Sequence, residues 1–163
     1  MAKTPDVGAA APDFTLPGVV LSGGRAERGE YTLSAQRGHP LVLAFYPGDN
    51  TPVCTRQLCS YTSELDSFTS LDATVWGISP QDLDSHEGFA RRYNLSFPLL
   101  ADTDLTVTRR YGITLGPSNL RRSVFVIDSA GVLRWKHVTL VGLTFPRAAE
   151  IASQLAALAA GQR

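Results

Sequence analysis

Residues 41–59, LVLAFYPGDNTPVCTRQLC, are the stretch from which the rest of this chain is read. The first six form a continuous apolar run, bounded by Gly38-His-Pro40 before it and Pro47-Gly48 after it, which is the pattern of a short central strand buried on both faces. Beyond the turn, Thr51 has the chemistry of a helix N-cap, and Pro52 suits the first helical position, where an N–H would have no partner anyway. Leu58, Tyr61, Leu65, Phe68 and Leu71 then recur at steps of three and four, which predicts one helix running to about residue 71 with a single buried face. A strand, a tight loop and a helix in this order put the helix start at the carboxyl edge of a sheet, where open α/β folds gather their sites.

The chain has two cysteines, and both fall on this helix: Cys54 in its first turn and Cys59 five positions later. The nucleophilic form of cysteine is the thiolate, and the unpaired N–H groups and dipole of a helix start favour negative charge. Thiols so placed ionise at about 3.5 to 7.5 instead of about 8.5, so the sequence predicts a thiolate at Cys54 at neutral pH. A cysteine beside apolar residues is often simply a small buried hydrophobe, and that reading competes for Cys59. A disulfide between the two would staple almost no chain. A zinc site would need paired histidines nearby, so no metal and no other cofactor is expected. His39, His86 and His137 are scattered singly and read as surface or hydrogen-bonded residues, and Trp76 and Trp135 lie in strand-like runs as packing residues.

The remaining periodicities continue an α/β alternation. Strands are predicted near 12–16, 41–46, 74–79, 97–100, 123–127 and 132–139, with a turn at Asp128-Ser-Ala-Gly131 between the last two. Helices are predicted at 83–93, 105–111 and 147–160 besides the cysteine helix. Crossovers early in the chain and a hairpin late in it predict a mixed central sheet covered by helices. With 163 residues, 44% of them hydrophobic, residues 1–163 are expected to form one domain with a real core. Lys and Arg (15) balance Asp and Glu (15) and are dispersed, which argues against nucleic-acid binding. Neither a signal-peptide core nor an apolar run approaching the ~18 residues of a membrane span is present, so no membrane association and a cytoplasmic location are expected. That compartment keeps thiols reduced, which favours a catalytic over a structural cysteine pair.

Pro47, Thr51 and Cys54 form a P-x-x-x-T-x-x-C pattern, and the run FYPGDNTPVCT resembles the active-site loop of peroxiredoxins. Ala11-Pro-Asp-Phe-Thr-Leu16, Tyr31-Thr-Leu-Ser34 and Arg122-Ser-Val-Phe-Val-Ile-Asp128 resemble further family segments, so the likeness covers nearly the whole chain. Cys59, five positions after Cys54, resembles the resolving cysteine of the Q-type or bacterioferritin-comigratory branch. Two features depart from the family pattern: 112–122 is shorter than in many Q-type relatives, and the C-terminal tail has no cysteine, which disfavours tail-linked dimers and points to a monomer.

The resemblance implies a thioredoxin-like fold and a thiol-dependent peroxidase acting on hydrogen peroxide and organic hydroperoxides, with a thioredoxin-type reductant. It also implies residue roles. Cys54 would attack the peroxide, the Thr51 hydroxyl and the Cys54 N–H would hold it, Pro47 would shield the sulfur, and Arg122 would supply a permanent cation. Arg121 competes for that last role; Arg122 is preferred because it lies three residues before Phe125, as in the family. Oxidation would leave Cys54 as a sulfenic acid that Cys59 condenses with. Five residues on an ideal helix separate two Cα atoms by roughly 8.6 Å, beyond the roughly 7 Å a disulfide tolerates, so the helix must unwind locally to close the bond. Two other functions share these residues: a thiol–disulfide oxidoreductase, for which the usual C-x-x-C spacing is absent, and a non-enzymatic peroxide sensor.

Overall fold

The computed structural model describes residues 3–139 and 143–161. In chain order the strands and helices are β1 (Thr15–Ser22), β2 (Arg25–Thr32), β3 (Leu41–Phe45), α1 (Pro52–Ser63), α2 (Leu65–Thr69), β4 (Thr74–Ser79), α3 (Leu83–Tyr93), β5 (Leu99–Ala101), α4 (Thr106–Arg110), β6 (Thr114–Leu115), β7 (Asn119–Leu120), β8 (Ser123–Ile127), β9 (Leu133–Val138) and α5 (Ala148–Gly161). Seven strands form one sheet in the order β2-β1-β5-β4-β3-β8-β9. β3, β4 and β5 are parallel, while β1, β8 and β9 pair antiparallel with their neighbours. This is the mixed, helix-covered α/β sheet expected from the alternation.

β3 is central, and all five of its residues are buried. Because successive side chains of a strand point to opposite faces, β3 feeds two cores. Val42, Ala44 and Tyr46 pack with Cys54, Leu58, Tyr61, Phe89 and Ile151, beneath α1, α3 and α5. Leu41, Leu43 and Phe45 pack with Phe14, Val107 and Tyr111 on the other face. An apolar run with no alternation is what a strand covered on both faces requires. The site helix α1 therefore lies over the even-numbered face of β3.

The strand expected near 12–16 is instead the start of a long hairpin over 15–32. Its second strand, RAERGEYT, is mostly exposed and polar, so no hydrophobic alternation marks it; pairing with β1 alone makes it a strand. The local sign is the turn, where Gly23 and Gly24 both adopt positive φ, 58° and 81°, as a two-residue hairpin loop of primed type demands. The single helix expected to residue 71 breaks at Glu64, whose ψ of 13° ends α1 before α2 restarts. Periodicity could not register this break, because Leu65, Phe68 and Leu71 continue the same apolar face across it. The short 112–122 stretch folds into the two-residue pair β6 and β7. Elsewhere the observed ends differ from the expected ones by about one or two residues, the scatter usual at frayed ends.

Candidate active site

The chain leaves β3 through Tyr46 and turns over Pro47–Asn50, with Asn50 at a φ of 62°, a left-handed conformation that Asn accepts more readily than most residues. Thr51 stands at the N-cap position with extended backbone, and its carbonyl takes the first helical bond, from Thr55 N–H, at 2.8 Å. Its side chain does not cap, contrary to the role expected for it: the hydroxyl donates to the Gly48 carbonyl at 2.9 Å and makes no bond to the helix start. An N-cap side chain ordinarily accepts from the second or third helical N–H. Here the third helical residue is Cys54 itself, so no side-chain cap stands between the helix start and a ligand at the sulfur. Pro47 is half-buried at the start of the same loop.

Cys54 is fully buried, and the guanidinium of Arg122, itself 2% exposed, meets it. Arg122 Nη2 donates to Cys54 Sγ at 3.1 Å, and Nη1 donates to Gln57 Oε1 at 2.6 Å. Sixty-eight residues separate this pair in sequence, and strand register explains the meeting. β8 runs antiparallel to β3 with Ser123 opposite Phe45, so the residue before β8 stands at the sheet edge where β3 ends and α1 begins. The Arg122 carbonyl accepts from both the amide and the hydroxyl of Thr139, at 3.0 and 2.8 Å, which fixes the backbone behind the guanidinium. Arg121 is half-buried, and its N–H donates to the Ile113 carbonyl.

Gln57 and Tyr61 extend the cluster. The buried Gln57 amide receives Arg122 through its oxygen and donates through Nε2 to the Tyr61 hydroxyl at 3.2 Å. That hydroxyl donates in turn to the Pro146 carbonyl at 2.7 Å. Burial pushes the Tyr61 phenol up, so it stays a protonated donor. Burial also pushes Tyr46 well up, with Asp49 and the charge at Cys54 acting in the same sense. A neutral amide thus orients the guanidinium toward the sulfur without itself cancelling the positive charge. Neither residue stood out as a site residue in the sequence, although Gln57 lies three after Cys54 and Tyr61 four after Gln57, spacings that share one helix face.

Cys59 lies farther along α1, half-buried against the same core as Cys54. Both thiols are free, and burial pushes the Cys59 thiol up. The histidines part company. His39 pairs with Asp72 at the surface at 2.7 Å, and His137 stacks on Trp135. His86 is fully buried behind the active-site loop, bonded to Asp49. Among the described residues, no group of three or more His, Cys, Asp or Glu side chains could hold a metal ion, and no helix is long and apolar enough to cross a membrane.

Residues 7–136 match the AhpC/TSA family. The chain is 34% identical over 145 residues to peroxiredoxin Bcp of Bacillus subtilis, covering 83% of this chain and 87% of that one. It is 38% identical over 133 residues to the chloroplastic peroxiredoxin Q of Oryza sativa subsp. japonica, covering 78% of this chain and 57% of the longer rice protein. The fold matches that of the reduced 2-Cys peroxiredoxin of Plasmodium vivax with a TM-score of 0.87, over 96% of this chain and 98% of that one at 24% identity. The fold is thus thioredoxin-like, and the chain belongs to the AhpC/TSA family as a thiol-dependent peroxidase of the peroxiredoxin type.

Proposed function

We propose that the chain reduces hydrogen peroxide and organic hydroperoxides through a Cys54 sulfenic acid and an intramolecular Cys54–Cys59 disulfide. The observation that carries this reading is the Arg122 guanidinium 3.1 Å from a fully buried Cys54 sulfur at a helix start. The thiolate attacks the terminal oxygen of the peroxide in line. The S–O bond forms as the O–O bond breaks, and the departing hydroxide or alkoxide takes a proton from solvent. Negative charge spreads from sulfur along the O–O axis in the transition state, and donors already aimed there stabilise it without reorganising. Arg122 supplies one of them through Nη2, in a cation that does not deprotonate, and the Cys54 N–H supplies another.

Thr51 takes a more definite part than its type alone suggested. Its proton is engaged on the Gly48 carbonyl, so its oxygen meets the peroxide as an acceptor for the O–H of the attacked oxygen. Pro47 has no N–H and covers the sulfur from water. The sulfenic acid then condenses with Cys59, releasing water and forming the S–S bond. Two electrons from a thioredoxin-type dithiol reopen it. The cycle needs no second copy of the chain, consistent with a monomeric single domain.

Steady-state peroxide consumption with a thioredoxin system tests this. Wild-type protein turns over, and Cys54→Ser does not, because a serine hydroxyl is not ionised near neutral pH. Reduction of protein disulfides without peroxide loss would identify a thiol–disulfide oxidoreductase instead, and a single oxidation without turnover would identify a sensor.

A further inference from the structure

Behind the active-site loop lies a second buried polar cluster that the thiol chemistry does not use. The Asp49 carboxylate, its side chain 1% exposed, accepts hydrogen bonds from the Tyr46 hydroxyl at 2.6 Å and the Ser85 hydroxyl at 2.7 Å, and His86 Nδ1 lies 2.7 Å from it. The Asp49 amide donates to the Gln81 side chain. On its other side, His86 Nε2 lies 3.0 Å from the Leu100 carbonyl. A backbone carbonyl can only accept, so Nε2 carries a proton. Two hydroxyl donors converging at short range on one carboxylate favour its anion. An anion can only accept from Nδ1, which therefore carries a proton as well.

We propose that His86 is held as an imidazolium, and that its ion pair with Asp49 makes it the positioning residue of the loop bearing Pro47 and Thr51. Asp49 sits between those two residues and joins the loop to β3 through Tyr46 and to α3 through Ser85 and His86. His86 extends that tie across the sheet to Leu100 in β5. The His86 side chain is 0% exposed, so no water can replace either bond. The other titratable groups facing the pair are Tyr46 of β3, kept protonated by burial and by the charges at Asp49 and Cys54, and Asp82 at the N-cap of α3, whose carboxylate accepts from the Ser85 N–H. The Tyr46 hydroxyl oxygen also lies 3.4 Å from Nδ1, but its proton goes to Asp49, and the carboxylate at 2.7 Å is the nearer acceptor. Loss of the imidazolium should release the loop and misplace the Thr51 oxygen and the Pro47 cover relative to Cys54.

This inference deepens the peroxidase reading and rests on it only for the activity half of its test. The charge half uses the reduced wild-type protein labelled with 15N-histidine, at neutral pH, where a free imidazole (about 6.5) is largely neutral. Both ring nitrogens of His86 should give protonated signals, and Asp49→Asn should remove the Nδ1 proton while Nε2 keeps its own. An unprotonated Nδ1 in the wild type would place the proton on Asp49 and overturn the imidazolium. For the activity half, the second-order rate of Cys54 oxidation by hydrogen peroxide is followed by quenching and mass spectrometry. His86→Leu, which keeps bulk without a donor, should slow it by about tenfold or more, the size of a lost charged hydrogen bond. His86→Asn, which keeps one N–H toward Asp49 but loses the charge and the tie to Leu100, should recover only part of the loss. Equal rates in Leu and wild type, or full recovery in Asn, overturn the positioning role of the imidazolium. Should the Leu variant fail to fold, Asp49→Asn replaces it, since an amide there can bond every partner without charge; it should also slow oxidation, and an unchanged rate again overturns the role. A wild type inert to peroxide would instead sink the peroxidase reading, leaving the histidine signals to be judged alone.

Discussion

Cys54 and Cys59 share one twelve-residue helix, yet their surroundings differ in kind. Cys54 is fully enclosed at the helix start with a guanidinium 3.1 Å from its sulfur. Cys59, little more than a turn later, is half-exposed, and burial without a cation pushes its thiol up. Burial alone makes a thiol less acidic; burial beside a fixed positive charge at a helix start stabilises its anion. The first sulfur is built to attack and the second to wait. Gln57 lies between them and ties this part of the helix to Arg122 and Tyr61, so unwinding that brings the sulfurs together must also loosen the clamp on Arg122.

The largest test of this contrast is Arg122→Met. It should retain the fold and slow the peroxide step by about 10²- to 10³-fold, as expected for loss of one preorganised donor; a comparable loss in Arg121→Met would show that the wrong arginine has been credited. Gln57→Leu leaves the cation in place but frees its orientation, so a smaller loss of about tenfold is expected from the missing charged hydrogen bond, read as kcat/KM for peroxide. Cys59→Ser should leave the first attack within about twofold, since it touches neither donor, and should strand Cys54 as a sulfenic acid prone to sulfinic overoxidation, seen by mass as added oxygen.

Two softer measurements sharpen the comparison. The thiolate is the attacking form in disulfide closure, and the Cys59 thiol is raised, so closure should quicken as pH climbs through the alkaline range, as stopped-flow on the oxidised intermediate can show. Hydrogen exchange within 52–63 should rise on oxidation. An intramolecular disulfide with unchanged exchange there would contradict the roughly 8.6 Å separation of an ideal helix against the roughly 7 Å limit of the bond.

Local chemistry made much of this legible. The buried strand, the turn and the helix carrying the thiols follow from an unbroken apolar run, turn residues, Pro52 at the first helical position and a 3.6-residue repeat. What escaped had no local signature. β2 is polar and becomes a strand only by pairing, and the break at Glu64 leaves the apolar face intact. Thr51 has the right residue type for a cap, yet its hydroxyl turns to Gly48. His86 looked like an isolated histidine because its partner, Asp49, lies 37 residues away.

The sequence by itself determined which residues could do chemistry: a cysteine at a helix start, a second at a spacing no straight helix can bridge, and an α/β order that brings such a start to a sheet edge. These properties depend on neighbours within a turn or two, where backbone geometry sets the distances. Tertiary structure alone decided which arginine meets the sulfur, what orients it, and what anchors the loop. Those contacts join residues tens of positions apart, through the register of β8 on β3 and the packing of α3 behind Tyr46, and strand register and helix packing are set by the shared core and not by any one segment.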